Sequence, residues 1–358
     1  MIVNTINNLA PLGGNRGVIA VADRLLQNDE RFALVIVIST QGSTYRKPGA
    51  LAMVAENGTT QSVISGGCLE PTLQDAARLA LRENRCSTLL LDTSTDDDLI
   101  FGSGSGCRGK MRVMLIPVAP RDTHPIYQVI TTIYRNNLDQ NYRALTFALA
   151  FNQSHCGQGA AWTSEQQWSF GALASETTNF REAPPGEHAT HIPDIGNVEY
   201  AVFTIAAPRR LLIIGAGVEA PYLIRLTRAM GWHTTVIDHR EQQLALHADD
   251  ADVKLCARPN TVSNNLREIS FDAALIMSHS ASVDLEALQM MALRSEPYVG
   301  LLGPPARRDE LLSQLTDLQR NQLSNRLHAP LGLKLGGDGP ESLALSITAE
   351  LQGVFHHG

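Results

Sequence analysis

Aliphatic residues run unbroken over 33–38 and stop at Ser39-Thr40, after a stretch at 17–31 whose apolar positions recur at helical spacing. The second pattern predicts an amphipathic helix and the first a strand buried on both faces. A polar turn over 41–49 leads to a second predicted strand at 50–55. Asn57-Gly58 is a hairpin signal, so the strand at 61–64 is expected to return antiparallel. Ser65-Gly66-Gly67-Cys68-Leu69-Glu70-Pro71 then opens a helix over 71–83, with proline in its first turn. Strands near 88–92 and 110–118 flank Asp96-Asp97-Asp98 and the loop Gly102-Ser103-Gly104-Ser105-Gly106-Cys107-Arg108-Gly109. The first half is therefore predicted to be mixed α+β, with two glycine-rich loops that each carry a cysteine.

From 152 to 195 aliphatic clusters thin out and Gln, Ser, Gly, Pro and His take over, which predicts peripheral strands and loops. We read residues 1–205 as one domain with a peripheral segment over 152–205, and residues 206–358 as a second. In that second domain, strands at 211–214, 233–237, 253–256, 272–277 and 298–301 alternate with helices at 219–230, 283–294, 306–318 and 340–352. Strict βα alternation of this kind predicts a Rossmann-like, doubly wound parallel sheet, giving an α/β chain as a whole.

Composition narrows the function classes. With 358 residues, 44% hydrophobic and 18% charged, the chain carries enough apolar surface to offset the entropy of ordering. Its aliphatic runs are too short to span a bilayer, and its first residues lack the basic and apolar regions of an export signal, so a cytoplasmic protein with no membrane partner is expected. The net charge is −7, and the 29 basic residues, 25 of them Arg, are scattered. That argues against nucleic acid as a partner and suits local capture of phosphates or carboxylates. The five cysteines show no zinc-type spacing, and Cys86, Cys156 and Cys256 are structural by default.

Gly215-Ala216-Gly217-Val218-Glu219-Ala220 has the G-x-G-x-x-A form of a dinucleotide turn, with Asp238 at the end of the next predicted strand. Gly215 would permit the turn, Gly217 the approach of a pyrophosphate, and Ala220 close packing of helix on strand; Asp238 would favour an NAD-type dinucleotide. An NAD-dependent oxidoreductase is accordingly the alternative reading, with His279, just past a strand end, as its acid/base. His328 is a further candidate, against the plainer reading of a packed histidine before a proline turn. Gly104 to Lys110 matches part of a P-loop, but Met111 follows and a strand replaces the required helix, so ATP hydrolysis is not expected. The same loop can still cradle an anion through its amides together with Arg108. Ser65, Gly66, Gly67 and Cys68 have similar physics ahead of a helix start. With Arg46 and Lys47, these two loops make a constellation suited to a phosphate-bearing ligand with soft, sulfur- or metal-containing groups.

These motifs, followed by Leu327-His328-Ala329-Pro330-Leu331-Gly332-Leu333, occur in the order seen in the XdhC/CoxI family, which the chain resembles over about residues 17–352. The resemblance implies an N-terminal XdhC/CoxI domain, a C-terminal Rossmann domain, and a part in maturing xanthine dehydrogenase-type molybdenum hydroxylases. Such proteins bind molybdenum cofactor in its molybdopterin form, assist its sulfuration with a cysteine desulfurase, and insert it into the apo-enzyme as chaperones; many are homodimers. On this reading Arg46, Lys47, Ser65, Gly66, Gly67, Cys68, Gly104, Gly106, Cys107 and Arg108 hold the cofactor, and Cys68 and Cys107 face its molybdenum. No catalytic residue is implied. The chain departs from the family's pattern at Lys334, around His279 and at Gly303-Pro304-Pro305. A third reading keeps the Rossmann domain only as a surface for docking and dimerisation.

Overall fold

Phe32, Leu34, Ile36 and Ile38 pack into one apolar cluster while Ala33, Val35 and Val37 pack into another, and none of the seven is exposed. This is the period-two sorting of a strand covered on both faces. In the computed structural model, which describes residues 12–65, 67, 69–92, 109–135, 144–180, 194–195, 198–262 and 266–357, these residues form the middle of a sheet. Helix α1 (Gly14–Gln27) precedes strand β1 (Phe32–Gly42), followed by β2 (Leu51–Ala55), β3 (Thr60–Gln61), α2 (Glu70–Glu83), β4 (Ser87–Asp92) and β5 (Gly109–Val118). The sheet order is β3-β2-β1-β5-β4, antiparallel throughout. Helix α2 covers one face through Leu73, Ala77, Ala80 and Leu81.

The segment read as peripheral strands and loops supplies four strands of a second sheet, and these share the core of the first. Helix α3 (Pro125–Arg135) is followed by β6 (Ala144–Ala150), β7 (Gly159–Trp162), β8 (Gln167–Phe170), a 3-10 helix (Ala172–Phe180), β9 (Asp194–Ile195) and β10 (Val198–Ala206), in sheet order β8-β7-β6-β10-β9. Phe147 and Phe203 stack at 5.3 Å, and both join Phe32, Ile36 and Ile130 in the cluster shared by the two sheets and helices α1 and α3. Strands β7 (Gly159-Ala160-Ala161-Trp162) and β8 (Gln167-Trp168-Ser169-Phe170) are four residues each with no Val, Leu or Ile, so they carry little aliphatic signal although all of β7 is buried. Together these elements form one compact unit, Gly14–Ala207.

The second unit runs from Pro208 onward and takes in Gly13, whose amide donates to the Arg228 carbonyl at 3.0 Å. It contains β11 (Arg210–Ile214), α4 (Ala220–Ala229), β12 (His233–Asp238), α5 (Glu241–His247), β13 (Val253–Cys256), α6 (Pro259–Val262), β14 (Ala273–Ile276), α7 (Ala281–Ala292), β15 (Val299–Leu301), α8 (Pro305–Ser313), α9 (Asp317–Leu323), β16 (Leu327–His328) and α10 (Pro340–His357). All six strands are parallel, in the order β13-β12-β11-β14-β15-β16, the doubly wound arrangement of dinucleotide-binding folds. Leu211 and Ile213 face the layer of α4, α5 and α10, while Leu212 and Ile214 face that of α6 to α9. Strand order reverses between β11 and β14, and a crevice opens at their carboxyl ends.

Candidate cofactor-binding site

Antiparallel pairing gathers the predicted loops of the first unit at one end of its first sheet. Strand β1 ends at Gly42 opposite Gly109, where β5 begins, and β4 ends at Asp92 opposite Lys110. Gln61 pairs with Met53, so the chain beyond β3 runs toward the Leu51 end of β2. The turn 41–49, the loop after residue 64 and both anchors of segment 93–108 therefore meet at the same edge. Gly66, Cys68, Gly104, Gly106, Cys107 and Arg108 lie outside the described residues.

The turn that carries Arg46 and Lys47 is held from both sides. Asn15, in the first turn of α1, donates from Nδ2 to the Gly49 carbonyl at 3.0 Å and accepts the Leu51 amide on Oδ1 at 3.0 Å. Gly49 has φ +84°, and a Cβ there would lie 2.1 Å from the Thr204 carbonyl oxygen of β10, so only glycine fits. Within the turn, Thr44 Oγ1 donates to the Arg46 carbonyl at 3.0 Å and accepts Lys47 Nζ at 3.5 Å, with Arg46 half-buried and Lys47 exposed. A rigid base that carries two adjacent cations is a fit for an anionic group.

Ser65 is engaged differently from the expectation. Its amide and hydroxyl, with the Ile64 amide, donate to Glu70 Oε1 at 3.0, 3.2 and 2.9 Å, and its Oγ accepts the Leu69 amide at 3.1 Å. Glu70 thus shapes the start of α2 and takes up the donors that Ser65 could offer a ligand. Gly67, at φ +109° with open space around it, keeps the loop free of side-chain bulk.

In the second unit, Gly215 has φ +115°, and a Cβ there would meet Met277 and Ser278 backbone atoms within 2.6 Å. Ala220 begins α4 and is fully buried. Asp238 ends β12, but both its carboxylate oxygens are taken by its own chain. Oδ2 accepts the Ala216 amide at 2.8 Å and Arg240 Nη2 at 2.7 Å; Oδ1 accepts the Arg240 amide at 2.8 Å and Nε at 2.9 Å. Burial alone would push this carboxyl up, yet the bonds from the Arg240 side chain and the two amides outweigh it and hold the carboxyl below the usual carboxylate range. Glu219, at the N-cap of α4, reaches across the turn: its Oε2 lies 2.7 Å from where a Gly217 Cβ would stand and 3.0 Å from His279 Nε2. A carboxylate there opposes a pyrophosphate. His279, at φ +59°, lines a cleft of about 300 Å³ with Glu219, Leu302, Gly303, Pro304 and Arg307.

A model described as the XdhC and CoxI family matches residues 25–92, and one described as the XdhC Rossmann domain matches residues 211–351. The chain belongs to the XdhC/CoxI family. Among curated relatives, this XdhC/CoxI chain is 26% identical over 337 residues to a probable xanthine dehydrogenase subunit of Bacillus subtilis (strain 168), spanning 92% of this chain and 94% of that one. Among solved structures, it is similar to one described as a xanthine dehydrogenase from Bacillus halodurans. That similarity has 27% identity, a TM-score of 0.74, and coverage of 95% of this chain and 96% of the other. The XdhC and CoxI match takes in the turn of Arg46 and Lys47; the Rossmann match takes in all six parallel strands except the first residue of β11.

Sequence reasoning did not find the group behind His279. The buried Asp284 carboxylate accepts the Ser278 amide and hydroxyl and Arg307 Nη2, the last at 2.7 Å, which fixes the end of β14 and aims the arginine along the cleft. His328 stacks on Tyr298 at 4.1 Å and lies 3.7 Å from Glu350, the arrangement of a packed histidine. Arg240 had a readable signal, a cation two residues after the acid that closes a strand.

Proposed function

We propose that this XdhC/CoxI protein is an accessory factor for a xanthine dehydrogenase-type molybdenum hydroxylase, and that it binds molybdenum cofactor at the loop-bearing edge of its first sheet. The observation that carries the reading is the convergence of the 41–49 turn, the 65–69 loop and both anchors of segment 93–108 at one sheet end, with Arg46 and Lys47 on a clamped base. The names of the Bacillus relatives support the link to xanthine dehydrogenase.

The residues fit the chemistry of such a cargo. Arg46 and Lys47 supply charge for the pterin phosphate. Cys68 and Cys107 supply soft sulfur for the metal–dithiolene end. Ser65 contributes through the loop that Glu70 shapes more than through its own donors. Sulfuration by a cysteine desulfurase, transfer to an apo-hydroxylase, cytoplasmic residence and a homodimer belong to the same proposal. The Rossmann domain serves it as scaffold and docking surface, because Asp238 and Glu219 leave the dinucleotide positions occupied by the protein's own groups.

Purification from a molybdenum-replete host, followed by assay of the pterin released on denaturation, tests this reading. Wild type is expected to carry pterin, and the Cys68→Ala/Cys107→Ala variant to lose most of it. Wild type free of pterin, or retention unchanged in the variant, overturns the assignment.

A further inference from the structure

Cys86 and Cys156, seventy residues apart in the chain, bring their Sγ atoms to 2.9 Å. Cys86 sits in the connection from α2 to β4, and Cys156 in the turn from β6 to β7, so the two sulfurs come from different sheets of the first unit. Both line a cavity of about 380 Å³ that also touches Leu79, Glu83, Arg85 and Gln153. Gly157 permits the approach: at φ +82°, a Cβ in its place would lie 3.2 Å from Cys86 Sγ.

Two-coordinate or tetrahedral capture of a soft metal ion would set the sulfurs well apart, since each Sγ would stand about 2.3 Å from the metal on its own side. Bond formation instead needs a closure of less than about 1 Å from the observed separation, toward the roughly 2.05 Å of a disulfide. Both cysteines are free, and the hydrogen bond between the two sulfurs, followed by burial, pushes the Cys86 thiol up. The cavity gives a small molecule access to both.

We propose that Cys86 and Cys156 form a dithiol site that is oxidised to an internal disulfide by a low-molecular-weight disulfide entering this cavity. One cysteine thiolate attacks a sulfur of the small disulfide, the sulfur–sulfur bond breaks, and one small thiol leaves after taking up a proton. The second cysteine, its proton lost to solvent, attacks the mixed disulfide and expels the second small thiol. Two protein thiols are oxidised and one small disulfide is reduced to two thiols. The product bond ties the first sheet of the unit to the second.

The test is incubation of the purified full chain with oxidised glutathione, then thiol blocking and peptide mapping without reduction. A linked Cys86–Cys156 peptide pair is expected as the main cross-link, with loss of two titratable thiols and full reversal by dithiothreitol. Cys86→Ser and Cys156→Ser are each expected to trap a glutathione adduct on the remaining cysteine. Gly157→Ala is expected to cut the yield of the linked pair several-fold. Both thiols still free after full oxidation of a small-molecule dithiol control, or cross-links formed mainly through other cysteines, overturns the proposal. Because the wild-type map is itself the readout, the result does not depend on any variant folding, nor on whether the chain carries pterin.

Discussion

The backbone amide of Ala216 donates to Asp238 Oδ2 across 2.8 Å, tying the glycine turn after β11 to the last residue of β12. The same carboxylate holds Arg240 at two points, so the acid closes the mouth of the parallel sheet from within. Asp238→Ala would leave a buried amide without a partner, a loss worth about 1–3 kcal/mol. Urea unfolding of the variant should show it, with Asp238→Asn closer to wild type because its oxygen can still accept the Ala216 amide.

Acid should reveal the same group. The folded-state carboxyl is held below its ordinary value, so the unfolded chain binds the proton at higher pH than the folded one. Its contribution is present above the unfolded value, about 3.9, and is lost as the pH falls through the lower folded one. Unfolding free energies measured from neutral pH downward should fall in that window, and Asp238→Asn should flatten this part of the decline.

Nucleotide binding is expected to be absent from the crevice. A dinucleotide would have to displace Arg240 from Asp238 and set its pyrophosphate against Glu219. Calorimetry with NAD and with NADH should give no saturable heat at millimolar ligand. Saturable heat that disappears in Asp238→Ala would contradict this and restore the first step of the oxidoreductase reading, nucleotide binding.

Gly49 makes a separate prediction in the first unit. Alanine there combines a left-handed backbone with a Cβ placed 2.1 Å from the Thr204 carbonyl oxygen. We expect about 3 kcal/mol of destabilisation from strain and overpacking together, read as a lower denaturation midpoint. Gly67→Ala, also at positive φ but with open space around it, should cost about 1 kcal/mol from the backbone alone.

What the sequence made legible follows from where apolar signal is continuous. The strands β11, β12, β14 and β15 and helices α4, α7, α8 and α10 could be read because a covered parallel sheet requires aliphatic runs between amphipathic helices, whereas the seven-residue α5 after β12 was not expected. The hairpin of β2 and β3 could be read from Asn57-Gly58. Strands β7 and β8 could not, because Gly159-Ala160-Ala161-Trp162 buries small residues that look polar or neutral in sequence. In the sites, Arg46 and Lys47 were placed by their turn, whereas the occupation of Ser65 by Glu70 depends on a side chain reaching back over five residues. The meeting of Cys86 with Cys156 depends on two sheets packing, which no local pattern encodes.

Cofactor binding at the edge of the first sheet is tested most directly by anaerobic titration of the purified chain with molybdenum cofactor freshly released from a donor enzyme, followed by pterin fluorescence of the retained fraction. Wild type should saturate. Arg46→Ala/Lys47→Ala, whose altered positions sit on a base fixed by Asn15, should keep its unfolding midpoint and bind at least about tenfold more weakly, as expected for loss of charge-assisted contacts to a phosphate. Absence of saturation in wild type, or equal binding by the folded double variant, would contradict the site.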